Sequence, residues 1–354
     1  MELPPHIDGP SAWYGSEIVR RSDWVEPLSN AELAEIEAAS LPLSRAESAG
    51  KPLCRDDFPL PTLQPRLSAI LDEVLRGRGF VLIRGLPIRD WGPRKAALAF
   101  LGLGLHWGNL RAQNRHGHLL GHVKDMGLSS RDPQVRIYQT SERQNYHTDS
   151  CDIVGLLCLQ PAKVGGKSSL VSSVTVFNEM RRRRPDLARV LFEPIETDRR
   201  GEVPEGRQPY FSIPVFNWHE NLLSAIYHRS YIESARRFAD VPALTQAQID
   251  ALNLFDQLAN DPTLCFQMEF QTGDIQLVHN HTLLHDRTAF EDWPEPDRKR
   301  HLLRLWLAPE QAQPLPPIYV QRYGSVTPGA RGGVDVPGLR LTIPWEAEKA
   351  ALAG

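Results

Sequence analysis

The chain has 354 residues, with 40 Lys and Arg against 43 Asp and Glu for a formal net charge of −3, and 41% of it is hydrophobic. That length buries one generous core or two ordinary ones, and the near-neutral charge offers no general attraction to nucleic acid or anionic lipid. No apolar run is long enough for a membrane span, and MELPPHIDGPSAWYG has no basic segment followed by an apolar one, so a secretory signal is not expected either.

In chain order, PRLSAILDEVLR (65–76) places Leu67, Ile70, Leu71, Val74 and Leu75 at helical spacing, Gly77 and Gly79 stop it, and GFVLIRG (79–85) reads as a buried strand. A second helix is expected around 93–102 and a third at 175–184. There the run Arg181–Arg184 reads as a solvated helix end opposing the negative dipole terminus rather than an anion site. After residue 145 short apolar segments multiply, at 152–159, 168–173, 263–270, 274–280 and 301–308, with helical pattern returning at 244–259. Strands pairing across such long gaps predict a mainly β fold with helical insertions, a double-stranded β-helix or jelly roll, rather than βαβ alternation.

No linker or repeat divides the chain, so a single domain over 1–354 is expected, and no coiled-coil seam indicates an oligomeric state. Nucleotide-cradling glycine loops are missing. The four cysteines (Cys54, Cys151, Cys158, Cys265) contain no C-x-x-C pair. That argues against a disulfide framework or thiolate zinc site and for a reducing, cytoplasmic location. Cys158, inside an apolar run, reads as a small buried hydrophobe.

Twelve histidines invite a search for H-x-[DE] triplets, of which about 1.5 are expected by chance at this composition. Two occur, His6-Ile7-Asp8 and His147-Thr148-Asp149. The first lies in a Pro/Gly-rich stretch with nothing to hold ligands in register. The second leads into the apolar run DIVGLLCL, and in an extended segment residues i and i+2 share a face, so both side chains can aim at one point. A third ligand is available in DIQLVHNHTLLHDRTAF, which holds His279, His281 and His285. Two histidines and a carboxylate cover one face of an octahedral ion, the facial triad of non-haem Fe(II) oxygenases. On residues alone, two rivals stand: a zinc-dependent hydrolase on the same ligands, and a non-catalytic jelly roll that binds a small molecule.

The ordered set GFVLIRGLP, HTD, VGGKSS, GDIQLVHNHTLLHDRTAF and RHLLRLWL, covering about 79–308, resembles the taurine dioxygenase and 2,4-D dioxygenase family of Fe(II)/2-oxoglutarate oxygenases. The resemblance implies that His147, Asp149 and His285 bind Fe(II), with Gly273, Asp274, Asn280 and Arg287 matching the pattern around the distal histidine. His279 stands where the family usually has Asp, and His281 falls at a polar non-ligand position. It also implies Arg300 as anchor for the far carboxylate of 2-oxoglutarate, with Arg304 facing substrate or cosubstrate. The insertion EDWPEPDRK leaves Arg298 as an alternative anchor. Ser168 (or Ser169), after Gly165-Gly166-Lys167, supplies the hydroxyl that contacts the cosubstrate. A dicarboxylate in a partly apolar pocket needs a bidentate, always-charged donor, which guanidinium provides.

The expected reaction consumes 2-oxoglutarate and O₂, releases succinate and CO₂, and oxidises a small organic substrate, by default to an alcohol. Retention of Asp149, where related halogenating enzymes carry a small residue, points away from chlorination. Two segments stay open: the His106–His122 group, as a weak second metal site or a loop over the active site, and the aromatic QPYFSIPVFNWHE (208–220), as pocket lining or packing.

Overall fold

The computed structural model describes residues 2–48, 50–129 and 135–347. Eleven strands build its two principal sheets: β1 (Val25–Pro27), β2 (Phe80–Arg84), β3 (Asn109–Leu110), β4 (Gly121–Val123), β5 (Gln144–His147), β6 (Ile153–Gln160), β7 (Ser168–Ser172), β8 (Cys265–Met268), β9 (Ile275–His279), β10 (Leu283–Arg287) and β11 (His301–Ala308). The seven-stranded sheet runs β1-β2-β9-β6-β11-β3, with β4 beside β11, and the four-stranded sheet runs β8-β7-β10-β5. Apart from the parallel β1–β2 pair, these pairings are antiparallel.

Strand alternation assigns the faces. Odd-numbered residues of β6, β9 and β11 (Ile153, Leu157, Ile275, Leu277, Leu303, Leu305, Leu307) join the helices Gln64–Arg76 and Ile88–Trp107 in one apolar core. Their even-numbered neighbours, including Leu156, Gln276, Leu302 and Arg304, face the small sheet across a cavity. The small sheet's outer residues Val171 and Leu284 pack on the helices Ser173–Arg183 and Gln246–Ala259. Between the sheets, Phe80, Leu82, Val278, Leu170, Phe266 and Leu283 meet Trp13 and Ile18 of the N-terminal segment. The layers are therefore helix, large sheet, small sheet, helix.

The expected helices and strands lie where the patterns put them, within a few residues. The 93–102 helix is part of Ile88–Trp107, which kinks at Gly92 (φ 74°) before Pro93. The 19-residue helix Asn30–Ser48 and two small hairpins, 194–214 and 216–225, had no clear periodicity to announce them. Arg182 and Arg183 pair with Glu179, and Arg184 with Asp186, as a solvated helix end requires. All four cysteines are free, and Cys158 packs with Val123 and Leu302. Among the described residues no helix is long and apolar enough to cross a membrane.

Candidate active site

On the small sheet β5 and β10 run antiparallel with His147 directly opposite His285, and the two rings lie 4.1 Å apart between centroids. Between His285 and Arg287 the register shifts, so three steps of β5 oppose two of β10. This bulge turns both Gln144 and His147 inward, with the Gln144 Nε2 2.8 Å from the His147 Nε2. The His147 Nδ1–H donates to the Asn145 carbonyl at 2.8 Å, which selects the tautomer whose Nε2 lone pair faces the cavity.

As the H-x-D spacing predicts, Asp149 and His147 aim at one point, although Asp149 lies just beyond β5, which ends at His147. A clamp holds its backbone there. The Asn280 side chain accepts from the Asp149 amide at 2.9 Å and donates to the carbonyls of Asp149 and Cys151, while Thr148 exchanges hydrogen bonds with the Tyr227 backbone. Asp149 Oδ2 accepts from the Trp306 indole at 2.9 Å and from Arg304 at 3.1 Å. One ligand atom each from His147, Asp149 and His285 falls within 4.8 Å of the others, the one such group of three among the described residues.

Burial pushes the His147 and His285 imidazoles down, His285 to about 3, so both rings are neutral near pH 7. Burial would raise Asp149, but Arg304 and the two histidines hold its carboxyl below the ordinary range. Two neutral imidazoles and one ionised carboxylate form a donor set suited to a divalent transition metal.

The remaining histidines have other partners. The His279 Nδ1 is 2.9 Å from the Thr282 hydroxyl, and the His281 Nε2 is 2.7 Å from Asp152, whose carboxylate also holds the fully buried Arg331. His6 and Asp8 sit at the surface. In the other open segment, His106 bonds the Phe58 carbonyl, and His122 lies 2.8 Å from His301. His116, His118 and His122 line a broad cavity that reaches Arg304.

His147 and His285 share a cavity with Ser168, Gln276, Arg287 and Arg300, walled by Val154, Leu156 and Leu302. Arg300 is 3% exposed, and burial pushes its guanidinium down to about 10. One of its terminal nitrogens has no hydrogen-bond partner. Arg287 donates to the Glu142 carbonyl yet keeps two nitrogens unpartnered, and burial together with Arg300 lowers it to about 9. Neither forms an ion pair among the described residues. Ser168 donates to Gln276 at 3.1 Å inside this cavity, whereas Ser169 faces the opposite side and bonds Tyr146. Arg298 lies outside, half exposed over the Trp293 ring.

Gly166 is required where it stands: its φ is +67°, and a Cβ would come 2.9 Å from the Arg300 Nε. Arg304 stands between cavities, committed to Gln113 at 2.8 Å and to Asp149.

Arg287 has no role assigned by motif, although its place two residues after His285 carries the signal. Nothing in the sequence marks a second cavity, reached from Asp149, that contains Arg136, Arg199, Glu202, His228, Tyr231 and Arg322. Of the 208–220 segment, Phe211 lines that cavity and Phe216 packs in the helix-side core.

Paired sheets carrying two neutral histidines, a carboxylate and an adjoining pocket of unpaired arginines correspond to a dioxygenase dependent on Fe(II) and 2-oxoglutarate. The chain belongs to the taurine catabolism dioxygenase TauD, TfdA family, whose pattern matches residues 41–306. FR-33289 synthase of Streptomyces rubellomurinus is 29% identical over 323 residues, 89% of this chain and 94% of that protein. A taurine hydroxylase-like protein of Stachybotrys chartarum is 31% identical over 333 residues, 90% of this chain and 84% of that one. Among solved structures, asparagine oxygenase in complex with Fe(II), 3-hydroxyasparagine and succinate superposes with a TM-score of 0.59 at 17% identity, covering 80% of this chain and 93% of that one, a likeness of fold.

Proposed function

We propose that His147, Asp149 and His285 hold Fe(II), and that 2-oxoglutarate lies in the adjoining cavity with its far carboxylate between Arg300 and Arg287, within reach of Ser168. On this reading the two sheets are the halves of a jelly roll, and the chain is one catalytic domain acting on a small organic molecule. Trp13 in the core and Arg331 on Asp152 tie both ends of the described chain into the same unit.

When bound, Fe(II) with 2-oxoglutarate and O₂ supplies an oxidative decarboxylation, to succinate and CO₂, coupled to oxidation of a substrate C–H bond. The chain's own residues do the positioning. Arg304 and Trp306 occupy Asp149 Oδ2 and leave Oδ1 toward His147. The apolar walls Val154, Leu156 and Leu302 suit the methylene chain of the cosubstrate and keep water off it. Arg304, expected from sequence to face substrate or cosubstrate, is on this reading a positioning residue acting through Asp149.

The observation that carries the reading is the juxtaposition of a metal-competent triad with two buried guanidiniums that form no ion pair among the described residues. Such cations are costly to bury alone, and a dicarboxylate bound beside the metal satisfies them. The test is direct: with Fe(II), ascorbate, O₂ and 2-oxoglutarate, the protein should release succinate slowly alone and faster with a fitting substrate. Absence of succinate across a broad substrate panel would reject the proposal.

A further inference from the structure

The nitrogen through which His147 would bind a metal is already engaged. The Nδ1–H is spent on the Asn145 carbonyl, so Nε2 carries a lone pair, and the Gln144 Nε2 at 2.8 Å can only donate to it. That contact is the one side-chain hydrogen bond Gln144 makes among the described residues. A single lone pair serves either an amide N–H or a metal, so ligation at His147 releases the Gln144 amide.

The fold limits where the released amide can go. The bulge in β5 points the Gln144 side chain inward, and its backbone pairs with Arg287 on β10, whose guanidinium lies in the cosubstrate cavity. Gln144 also borders the second cavity, a boundary position it shares with Tyr138, His147 and Arg304. Ser168 and Gln276, in the cosubstrate cavity, are committed, the hydroxyl to Gln276 and the Gln276 amide to the Met268 sulfur. Ligation at His147 therefore sets free a neutral donor beside the triad, on the side of Arg287. The keto-acid end of 2-oxoglutarate has only acceptor oxygens, and Arg300 and Arg287 are assigned to its far end.

We propose that Gln144 is an exchangeable donor that contacts the cosubstrate: its amide holds the His147 lone pair until a metal takes it, and then turns to the keto-acid end of 2-oxoglutarate at that metal. This rests on the proposed function for the identity of metal and cosubstrate. The exchange couples the two binding steps. Metal binding alone breaks a hydrogen bond and cosubstrate binding returns one, so each ligand tightens the other through Gln144.

The test uses the full chain stripped of metal and kept anaerobic, with Gln144→Met, which removes the donor at similar volume, and Gln144→Asn, which keeps an amide. Fe(II) is titrated first without 2-oxoglutarate. The cosubstrate is then titrated into the iron-loaded protein, followed by the visible charge-transfer absorption of an Fe(II)–keto-acid chelate. Gln144→Met should bind Fe(II) alone about 2- to 10-fold more tightly and 2-oxoglutarate about 2- to 10-fold more weakly, the worth of one neutral hydrogen bond. Its absorption maximum should shift, and Gln144→Asn should recover part of the 2-oxoglutarate affinity. A residue that merely supports the fold would lower the melting temperature without moving that absorption. Either affinity left unchanged in a folded Gln144→Met protein would overturn the proposal, as would weaker Fe(II) binding, which marks Gln144 as a residue that only orients His147. Failure of the underlying reading looks different: the unmodified protein would show no charge-transfer absorption and no Fe(II)-dependent binding of 2-oxoglutarate.

Discussion

Replacing Arg300 by Met separates function from stability in a way few core substitutions do. The side chain is 3% exposed, has no ion-pair partner among the described residues, and its guanidinium is pushed down to about 10 by burial. Relative to an ordinary arginine, that depression corresponds to roughly 3 kcal/mol by which the charge opposes folding at neutral pH. For a cation the penalty is in full force below its folded value and fades as pH rises above it. Met fills a similar volume without a charge, so in the absence of 2-oxoglutarate Arg300→Met should melt at or above the temperature of the unmodified protein.

Cosubstrate binding should suffer in the opposite direction. Truncating one partner of a buried charge pair costs about 2–5 kcal/mol, and Arg287 in the same cavity should recover about 1 kcal/mol of it, leaving a weakening of about 5- to 1000-fold. Calorimetric melting without cosubstrate, and succinate formation against 2-oxoglutarate concentration, measure the two halves. A variant that melts several degrees lower while its 2-oxoglutarate requirement is unchanged would show that Arg300 is a structural residue and refute the anchor.

Four further outcomes follow from particular contacts. Gly166→Ala, which forces a Cβ to 2.9 Å of the Arg300 Nε, should raise the 2-oxoglutarate requirement several-fold by displacing the guanidinium, read from the same titration. His147→Ala and His285→Ala should each abolish stoichiometric Fe(II) binding in an anaerobic metal assay, whereas His279→Ala and His281→Ala should retain it; loss of iron from His281→Ala with retention by His285→Ala would reverse the ligand assignment. His301, pushed down to about 3 by burial and then by His122, binds a proton only when unfolded across the window from about 6.5 to 3. Stability is therefore lost as pH falls through that window, and His301→Gln should flatten the slope of unfolding free energy by about 1.4 kcal/mol per pH unit in denaturant titrations. On the proposed ligand set Asp149 takes the place a halide would need, so turnover in chloride buffer should give no chlorinated product by mass spectrometry.

Local pattern carried much of this protein. Periodicity placed the helix at 65–76 and strands β2, β6, β7, β9 and β11, because the alternation of apolar and polar residues is itself the record of which face is buried. The order of motifs from HTD to RHLLRLWL marked the family, and it singled out His285 among three neighbouring histidines, a choice that spacing alone left open.

What the chain's order could not express is how distant segments share one space. The backbone of Asp149 is held by Asn280, 131 residues away. Gln144 joins the cavity only because of a bulge that depends on the partner strand. Arg287 shares a cavity with Arg300, and Arg304 gives two of its nitrogens to Gln113 and Asp149. Arg199 looked like any charged residue in a polar loop until folding buried it beside a cavity with one edge unpaired. A residue's type and neighbours in sequence set what it can donate or accept; whether that capacity is spent or left for a ligand is decided by the partners that tertiary packing brings to it.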